Sequence, residues 1–358
     1  MNPSIVFTGG GTAGHVTPNI ALIQELKKEG FGMAYIGSNE GIEKAMISDL
    51  GIPFYGVSSG KLRRYFSLKN LMEPFKVIKG IVQSALLLHK LKPQLVFSKG
   101  GFVAFPVVFG AWLNKIPIVA HESDLTPGLA NKLSYPFVNT ICLPFEASKK
   151  YFKKQDKIAV TGTPIRQQLF EGDPSKALEL CNFDTSKPCL LVIGGSLGAQ
   201  SINQTLRQAL GSLLANFQII HICGKGKIDQ SLLEVKGYKQ FEYAKEELAD
   251  FFAAASLVVS RSGANSLYEI LALGKPHVLI PLSARVSRGD QIHNSAYFQK
   301  AGISTVIQDE ALNAESLIAA IEAVMSNKDE IKNKINQLEM RSASKQIVDI
   351  IKLRMDLV

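Results

Sequence analysis

Long hydrophobic runs are missing from this 358-residue sequence. No window reaches the roughly 18 uninterrupted apolar residues that a membrane-spanning helix needs. The most apolar stretches, near Val77–Leu88 and Phe105–Leu113, are short or are interrupted by Lys79. The N-terminal residues carry no basic head before an apolar block, so we expect no cleavable signal peptide. These absences predict a cytosolic protein.

Cysteine is scarce as well. The four cysteines, Cys142, Cys181, Cys189 and Cys223, show none of the paired spacings that metal sites or redox motifs use. We therefore expect reduced and mostly buried thiols. No pair of carboxylates has the spacing of a metal site either, so we expect neither a bound metal nor another cofactor.

An excess of positive charge is confined to one half of the chain. Residues 1–165 hold 19 Lys and Arg against 10 Asp and Glu, whereas residues 166–358 hold 21 of each class. The net charge of +9 therefore belongs to the first half, and it indicates an anionic partner such as nucleic acid, phosphate groups or a membrane surface. A solvated basic face without a partner would give the same count.

Short β-rich runs alternate with helical segments, a pattern typical of parallel sheets covered by helices on both faces. In the first half the predicted strands are Ile5–Thr8, Met33–Ile36, Phe54–Val57, Leu95–Ser98, Ile118–Ala120 and Thr140–Leu143. After Lys187 the pattern restarts, with predicted strands at Leu190–Ile193, Ile219–Cys223, Leu257–Ser260, Val278–Ile280 and Thr305–Ile307. Helical spacing marks Asn19–Lys28 and Leu68–Leu91, and Ala311–Val358 is predicted to be wholly helical. This α/β pattern and the length predict two domains.

Each half opens on a strand that runs into a glycine-rich turn and then a helix. The turns are Gly9–Gly14 and Gly194–Gly198. Such a turn allows close backbone approach and aims free N–H groups at an anion, typically phosphate. We therefore predict two Rossmann-like domains with parallel sheets that face each other across a cleft, where ligands bind beyond the carboxyl ends of the strands.

The second turn also matches the nucleophile elbow of α/β hydrolases, with Ser196 as nucleophile. Asp229, His277 and His293 could complete a triad. That fold explains neither the first domain nor the duplicated turn, so a serine hydrolase stays a minor alternative.

The most distinctive motif is Val259–Pro276, in which a strand ends, Ser-Gly-Ala opens a helix and Gly-Lys-Pro stops it. Glu269 falls in the second turn of this helix. An acid there is often only a partner of the helix dipole, but at the carboxyl edge of a sheet it can accept hydrogen bonds from a ribose diol. Downstream, Asp290 and Gln291 offer polar side chains suited to sugar hydroxyls.

Four motifs together resemble those of the MurG family of bacterial glycosyltransferases. They are Gly10–His15, His121-Glu122 with Gly128–Lys132, Gly194–Ala199 and Ser262–Pro276. That family transfers N-acetylglucosamine from UDP-N-acetylglucosamine to undecaprenyl-pyrophosphoryl-MurNAc-pentapeptide (lipid I), which gives lipid II for peptidoglycan. The resemblance implies a GT-B fold, inversion at the anomeric carbon and no cofactor. It implies an acceptor- and membrane-binding domain over 1–163, a UDP-sugar domain over 164–340 and a C-terminal helix over 341–358 that packs on the first domain.

The resemblance also implies roles for individual residues. Arg166 and Ser196 would contact the donor phosphates, and Glu269 would hold the ribose. The other donor contacts would be Lys245, Ala264, Asn265, Ser266, Asp290 and Gln291. The acceptor contacts would be Gly11, Thr12, Gly14, His15, Phe102, His121 and Asn131, with Glu122 beside them.

Some positions differ from the better-known members of that family. Ala13 replaces a glycine, Ser123-Asp124 replaces Gln-Asn, Phe102 replaces a tyrosine and Asp290 replaces a glutamine. These differences concern the acceptor and sugar contacts and leave the expected reaction unchanged.

A direct displacement on the donor needs a base for the acceptor 4-hydroxyl, which typically contributes about 10²–10⁴-fold. His15 is our first candidate and Glu122 the second. Loop amides at 195–197 and 262–264, together with Arg166, would stabilise the leaving diphosphate.

The segment Lys61–Lys92 holds eight Lys and Arg against the single acid Glu73, with apolar residues interleaved. Such a face can lie in the headgroup layer of an anionic membrane, although its apolar side could simply pack on the sheet. The predicted membrane contacts are Tyr65, Phe66, Lys69, Phe75, Lys76 and Lys79, with Trp112 nearby. No nucleic-acid motif accompanies them, so we expect no nucleic-acid partner.

Three other functions fit parts of the pattern. A UDP-sugar enzyme that makes a glycolipid from diacylglycerol would share both the fold and the membrane face. UDP-N-acetylglucosamine 2-epimerase would share the architecture but would have no use for a lipid-facing basic helix. A non-enzymatic nucleotide-binding module is the least favoured reading, since two facing sites would go unused.

Overall fold

The structure is a computed structural model that describes residues 3–60, 69–195, 198–338, 340 and 343–356, with only the backbone of 69–72. The chain divides into two compact units. The first comprises Met1–Pro164 with Ser342–Val358, and the second comprises Ile165–Arg341. The sequence placed this boundary between residues 163 and 164.

The first unit is built on a seven-stranded sheet in which every strand pair is parallel. Its strands are β1 (Ile5–Thr8), β2 (Met33–Ser38), β3 (Phe54–Val57), β4 (Leu95–Ser98), β5 (Ile118–His121), β6 (Thr140–Leu143) and β7 (Ile158–Val160), in the order β3-β2-β1-β4-β5-β6-β7. The helices between them are α1 (Ala13–Lys28), α2 (Ile42–Ser48), α3 (Lys69–Leu91), α4 (Ala104–Leu113) and α5 (Leu129–Ser134). This strand order makes the sheet Rossmann-like.

Apolar side chains on both faces of this sheet explain why its strands are continuous hydrophobic runs. Successive residues of a strand point to opposite faces, so Val6 joins one core cluster while Ile5 and Phe7 join the other. The Val6 cluster packs against α3 and α4, through residues such as Leu88 and Val107. The Ile5 and Phe7 cluster lies under α1.

The second unit repeats the design with a six-stranded parallel sheet. Its strands are β8 (Cys189–Ile193), β9 (Gln218–Ile222), β10 (Tyr238–Phe241), β11 (Ala255–Ser260), β12 (His277–Leu279) and β13 (Thr305–Val306), in the order β10-β9-β8-β11-β12-β13. Its helices are α6 (Pro174–Cys181), α7 (Gln200–Asn216), α8 (Glu247–Ala254), α9 (Ala264–Ala272), α10 (Asp290–Lys300), α11 (Ala314–Ser326) and α12 (Lys328–Asn336).

The prediction that Ala311–Val358 is wholly helical is wrong, because the structure divides this segment into separate helices. The side chain of Asn313 accepts a hydrogen bond from the Ser316 amide (2.8 Å) in a capping box that starts α11 only at Ala314. Asn327 then separates α11 from α12. The last helix, α13 (Ala343–Asp356), belongs to the first unit, where Ile347 and Ile351 join the Ile5 and Phe7 cluster.

The predicted fold class, two Rossmann-like α/β units with parallel sheets, is confirmed. That the units face each other across a cleft stays a prediction. All four cysteines are buried free thiols, as the sequence indicated. No helix in the described part of the chain is both long and apolar enough to span a membrane.

Candidate active site

The first glycine turn lies between β1 and α1, at the carboxyl edge of its sheet, and leaves no room for side chains. Gly11 has φ +86°, and a Cβ placed on it would overlap the ring of Phe102. A Cβ on Gly10 would lie 2.6 Å from the carboxylate of Glu43. Only glycine fits at these positions, so the backbone itself forms the surface of the turn.

The buried side chain of Glu43 supports this turn through hydrogen bonds. We did not predict this role of Glu43 from the sequence. Its fully buried carboxylate accepts hydrogen bonds from the amide and hydroxyl of Ser38 (2.8 and 2.6 Å) and from the amide of Gly11 (3.3 Å). An acid in the first turn of α2 could have been noticed as a helix-dipole partner. Its contact with a turn 32 residues away in sequence could not.

His15 lies in the first turn of α1 and is half-buried. Thr12, the N-cap residue, makes no side-chain hydrogen bond to the helix backbone. Its hydroxyl oxygen is instead 2.9 Å from Nδ1 of His15. With the proton on Nδ1 donated to Thr12, Nε2 carries the lone pair that a general base needs. Thr12, Gly14 and His15 are therefore together at the carboxyl edge of the first sheet.

Glu122 is held by five hydrogen bonds, which argues against our second candidate for the base. The buried carboxylate accepts from the amides of Ser123, Asp124 and Gly128, from Asn131 Nδ2 and from the Tyr135 hydroxyl, at 2.8–3.2 Å. Accepting a proton would disrupt this arrangement. We assign Glu122 a positioning role, in which it shapes the loop between β5 and α5.

Asn131 and His121, both predicted to contact the acceptor, are internal. Asn131 is buried against Glu122 and against Gly100, whose φ of +90° and close contact leave no space for a side chain. His121 is fully buried, with Nε2 2.8 Å from the carbonyl oxygen of Gly162. Burial, aided by the nearby charge of Lys99, holds the pKa of His121 well below its usual range. In the structure both side chains support the loops, and their direct contact with an acceptor stays a prediction.

In the second unit, Arg166 and Glu269 form an ion pair. Arg166 donates from Nε and Nη2 to Oε1 of Glu269, at 3.2 and 2.9 Å. Burial raises the pKa of Glu269, and the charge and hydrogen bonds of Arg166 act in the opposite direction. The two residues come from the segment before α6 and from α9, so two predicted donor ligands lie side by side.

A hydrogen bond joins the N-termini of α9 and α10 in the same unit. Ser262, just before α9, donates its hydroxyl to the carbonyl oxygen of Gln291 in α10 (2.9 Å), and Gln291 Oε1 accepts from the Leu282 amide (3.0 Å). Ala264, Asn265 and Ser266 form the first turn of α9. Free amides at helix N-termini attract anions, so this corner of the unit suits a phosphate group.

Asp290 begins α10 and pairs with Arg288, with Nε and Nη2 of the arginine both 2.7 Å from Oδ2. Lys245 lies further away along the chain, on an exposed segment before α8. Its amide donates to Glu247 Oε2 (3.1 Å). These two predicted donor contacts are accessible, whereas Ser196 lies outside the described residues.

Comparison with known proteins covers both units. The N-terminal domain of glycosyltransferase family 28 matches residues 5–143, and the C-terminal domain of that family matches residues 189–352. The chain belongs to glycosyltransferase family 28.

Relatives in this family are similar over almost their full length. A protein of Legionella pneumophila (strain Paris) named UDP-N-acetylglucosamine--N-acetylmuramyl-(pentapeptide) pyrophosphoryl-undecaprenol N-acetylglucosamine transferase is 70% identical over 98% of this chain and 97% of its own. A protein of the same name from Clostridium perfringens (strain SM101 / Type A) is 51% identical over 97% of each chain. The crystal structure of MurG from Acinetobacter baumannii superimposes with a TM-score of 0.75 at 24% identity, over 97% of this chain and 99% of that one, which shows a shared fold.

Membership of family 28 agrees with the positions of the residues nominated for a hydrolase triad. His277 begins β12, at the amino edge of the sheet, and is buried with Nε2 2.6 Å from the hydroxyl of Ser304. The glycine turn follows β8 and lies at the opposite, carboxyl edge. Asp229 accepts hydrogen bonds from the hydroxyl and amide of Ser231. His277 and the turn thus belong to opposite edges of one sheet, which argues against His277 as the histidine of a triad.

Arg261 is a site residue that the sequence did not single out. It follows β11 and donates to Asp309 Oδ1 (2.7 Å) and to the hydroxyl of Ser201 in the first turn of α7 (2.9 Å). Ser201 in turn donates to Asp309 (2.8 Å). This triangle ties the start of α7 to the loop that opens α9.

Within the described ranges, no group of three or more His, Cys, Asp and Glu side chains is arranged to hold a metal ion. Described cations in this part of the second unit include Arg166, Arg261 and Arg288.

Proposed function

We propose that this protein transfers N-acetylglucosamine from UDP-N-acetylglucosamine to the 4-hydroxyl of the MurNAc sugar in lipid I, forming lipid II for peptidoglycan. The observation that carries the proposal is the 70% identity, over 98% of the chain, with a transferase named for this donor and acceptor. The matched region covers all but a few residues of the chain. The chain is a glycosyltransferase on the evidence of both family 28 domains.

The donor site is the corner formed by α9, α10 and Arg166. The N-termini of α9 and α10 place partial positive charge beside the diphosphate, and Arg166 adds a full charge. Glu269 accepts hydrogen bonds from the ribose hydroxyls through the oxygen that faces away from Arg166. The amide groups and Arg166 then stabilise the charge that develops on UDP as it leaves.

The acceptor reacts at the carboxyl edge of the first unit. His15 Nε2 takes the proton of the acceptor 4-hydroxyl, whose oxygen attacks the anomeric carbon of the donor. The bond from that carbon to the UDP oxygen breaks, and the electron pair leaves with UDP. A single displacement of this kind inverts the anomeric configuration.

Separate acceptors test the proposed specificity. Purified protein and labelled UDP-N-acetylglucosamine are incubated with a lipid I analogue, with diacylglycerol or with no acceptor. The proposal predicts labelled lipid and released UDP with the lipid I analogue alone. Label on diacylglycerol would favour a glycolipid synthase, and an epimerised sugar without acceptor would favour a 2-epimerase.

We also propose that α3 contacts the cytoplasmic face of the bacterial membrane, so that the enzyme is peripheral. One side of α3 packs on the sheet through residues such as Ser84 and Leu88. The opposite side exposes Phe75, Ile78 and, further along, Val82 and Leu86, each by more than half. A row of apolar side chains on the solvent side of a helix has no role in the core and suits the headgroup layer.

Basic residues flank this row. Lys76 and Lys79 are exposed, and Lys76 also pairs with Glu73 at 2.9 Å. Trp112 and Leu113 at the end of α4 are about half exposed. Of the other predicted contacts, Tyr65 and Phe66 lie outside the described residues, as does the side chain of Lys69. The described part alone therefore supports the proposal of an amphipathic, basic surface.

Replacing both Phe75 and Leu86 with serine is expected to weaken binding to vesicles that contain anionic lipid by about tenfold or more, since two apolar side chains lose burial in the headgroup layer. Co-sedimentation with phosphatidylglycerol vesicles measures this. Val286→Ser, a comparably exposed apolar residue of the second unit, is the matched control. Equal loss in both variants would contradict a role for α3.

A further inference from the structure

Lys99 is a fully buried cation that the proposed reaction does not use. It directly follows β4, and its backbone amide donates to the Thr8 carbonyl oxygen (2.9 Å). Its side chain is 1% exposed, and Nζ donates to the hydroxyl of Ser123. Lysine is almost never buried to this extent unless a charged partner is near. The carboxylates of Glu122 and Asp124 supply the nearby opposite charge.

Burying this ammonium group carries a cost. Loss of water lowers the pKa of Lys99 to about 8, while the charges of Glu122 and Asp124 act in the opposite direction. Most Lys99 side chains are therefore protonated at neutral pH. A methionine of similar length would fill the space without that cost, so packing does not explain the choice of lysine.

Lys99 lies where the first glycine turn, at Gly9–Gly11, meets a second turn of the same unit, at Gly100–Gly101. A Cβ placed on Gly9 would come within 3.1 Å of the Lys99 Cβ. Gly100 and Gly101 follow it directly, with φ of +90° and +87°. The amide of Gly10 donates to the carbonyl oxygen of Gly100 (3.3 Å), and a side chain on Gly101 would overlap the Gly10 backbone. The backbone and Cβ of Lys99 thus lie at the junction of both turns, and its buried side chain extends from there to Ser123.

The loop after β5 is attached to the same cation. Ser123 receives the Lys99 hydrogen bond, and its neighbour Glu122 organises the loop as far as Asn131. Lys99 and Ser123 therefore form a pair whose geometry connects three segments at the carboxyl edge.

We propose that Lys99 is a positioning residue for an acceptor that carries a diphosphate. It fixes the Glu122–Asp124 loop, and it supplies positive charge close to the backbone turns Gly9–Gly11 and Gly100–Gly101. The proposal rests on the proposed function. Backbone amides in these turns bind an anion more tightly above a fixed cation, since the electrostatic attraction acts across a region of low dielectric. Lys99 itself does not touch the acceptor.

The test compares Lys99→Met and Lys99→Arg with wild type, with KM measured separately for a lipid I analogue and for UDP-N-acetylglucosamine. For Lys99→Met we expect the acceptor KM to rise about tenfold, equivalent to about 1.4 kcal/mol, while the donor KM stays within about twofold. Its melting temperature is measured in parallel, because removing the cation leaves the buried Glu122 carboxylate without this opposite charge. Lys157→Met is the control, since Lys157 belongs to the same unit but donates to the Val138 carbonyl oxygen next to the amino end of β7.

The pH dependence of the acceptor KM distinguishes the effect of the Lys99 charge from the effect of its packing. In wild type the acceptor KM should rise as the pH increases through about 8, because neutral Lys99 no longer supplies charge. The carboxylates of Glu122 and Asp124 lie near Lys99, and burial together with the Lys99 charge holds the pKa of His121 well below its usual range. Arginine stays protonated, so Lys99→Arg should show no such rise.

Two outcomes would overturn the proposal. One is an unchanged acceptor KM in Lys99→Met, and the other is an equal rise in both KM values. If Lys99→Met does not fold, Ser123→Ala gives the same reading through loss of the hydrogen bond. If wild type transfers no sugar to lipid I, the proposed function fails, and binding of inorganic pyrophosphate at saturating UDP then tests Lys99 alone. Equal pyrophosphate binding by wild type and Lys99→Met would refute its role.

Discussion

Replacing His15 with alanine is expected to lower kcat by about 10²–10⁴-fold, the usual contribution of a general base. The effect should fall on kcat, because His15 touches the hydroxyl that loses its proton and does not touch the nucleotide. The dissociation constant for UDP, measured by calorimetry, should stay within about twofold of wild type. The melting temperature should change little, because His15 is only half-buried.

Thr12→Val provides the graded control for His15. It removes the hydroxyl that meets Nδ1 and leaves the imidazole in place. We expect a smaller loss of kcat, about tenfold, because the ring keeps its basicity but loses its orientation. Near-normal turnover in His15→Ala with intact UDP binding would show that another group is the base.

The second large effect is expected at Glu269. Glu269→Gln should raise KM for UDP-N-acetylglucosamine by about 10–100-fold, since one hydrogen bond to a charged group contributes about 1.5–3 kcal/mol. The acceptor KM should not change. Glutamine keeps the shape of the side chain, so the loss reports the carboxylate charge shared with Arg166 and with the ribose.

Arg166→Ala should weaken donor binding as well, but it should also destabilise the second unit, because it leaves the buried Glu269 carboxylate without its partner. Burial already raises the pKa of Glu269, and loss of Arg166 removes what opposes that shift. The folded state then binds a proton more readily than the unfolded state, so the destabilisation grows as the pH rises above the ordinary glutamate range. Thermal unfolding of Arg166→Ala should therefore differ less from wild type at pH 5 than at pH 7.5. The same deficit at both values would contradict this account.

The parallel sheets were predictable because both faces of each strand are buried, which gives short hydrophobic runs such as Ile5–Thr8 and Leu95–Ser98. Two strands were not predicted, β7 and β10, and both are edge strands. The sequence of β10 is Tyr-Lys-Gln-Phe, whose lysine is exposed. Edge strands have one neighbour and tolerate polar residues, so the hydrophobic pattern is weak there.

The site was predictable where local sequence determines it and not where tertiary contacts do. Glycine turns followed by a helix identified Gly11, and the Ser-Gly-Ala helix start identified Glu269. His121 and Glu122 were predicted to lie at the acceptor because they belong to a motif that resembles one of the MurG family. In the structure His121, the last residue of β5, points into the interior, and Glu122 is enclosed by the loop that it organises. The buried groups Glu43 and Lys99 could be recognised only from contacts between segments far apart in sequence.

The anomeric configuration of the sugar in the lipid product is the most direct test of the central claim. Purified enzyme, UDP-N-acetylglucosamine and a lipid I analogue are incubated, and the new glycosidic bond is assigned by the NMR coupling of its anomeric proton. We expect a β-linked disaccharide lipid, one UDP for each product molecule, and no product when either substrate is omitted. An α-linked product, or UDP release without a disaccharide lipid, would contradict direct inverting transfer to lipid I.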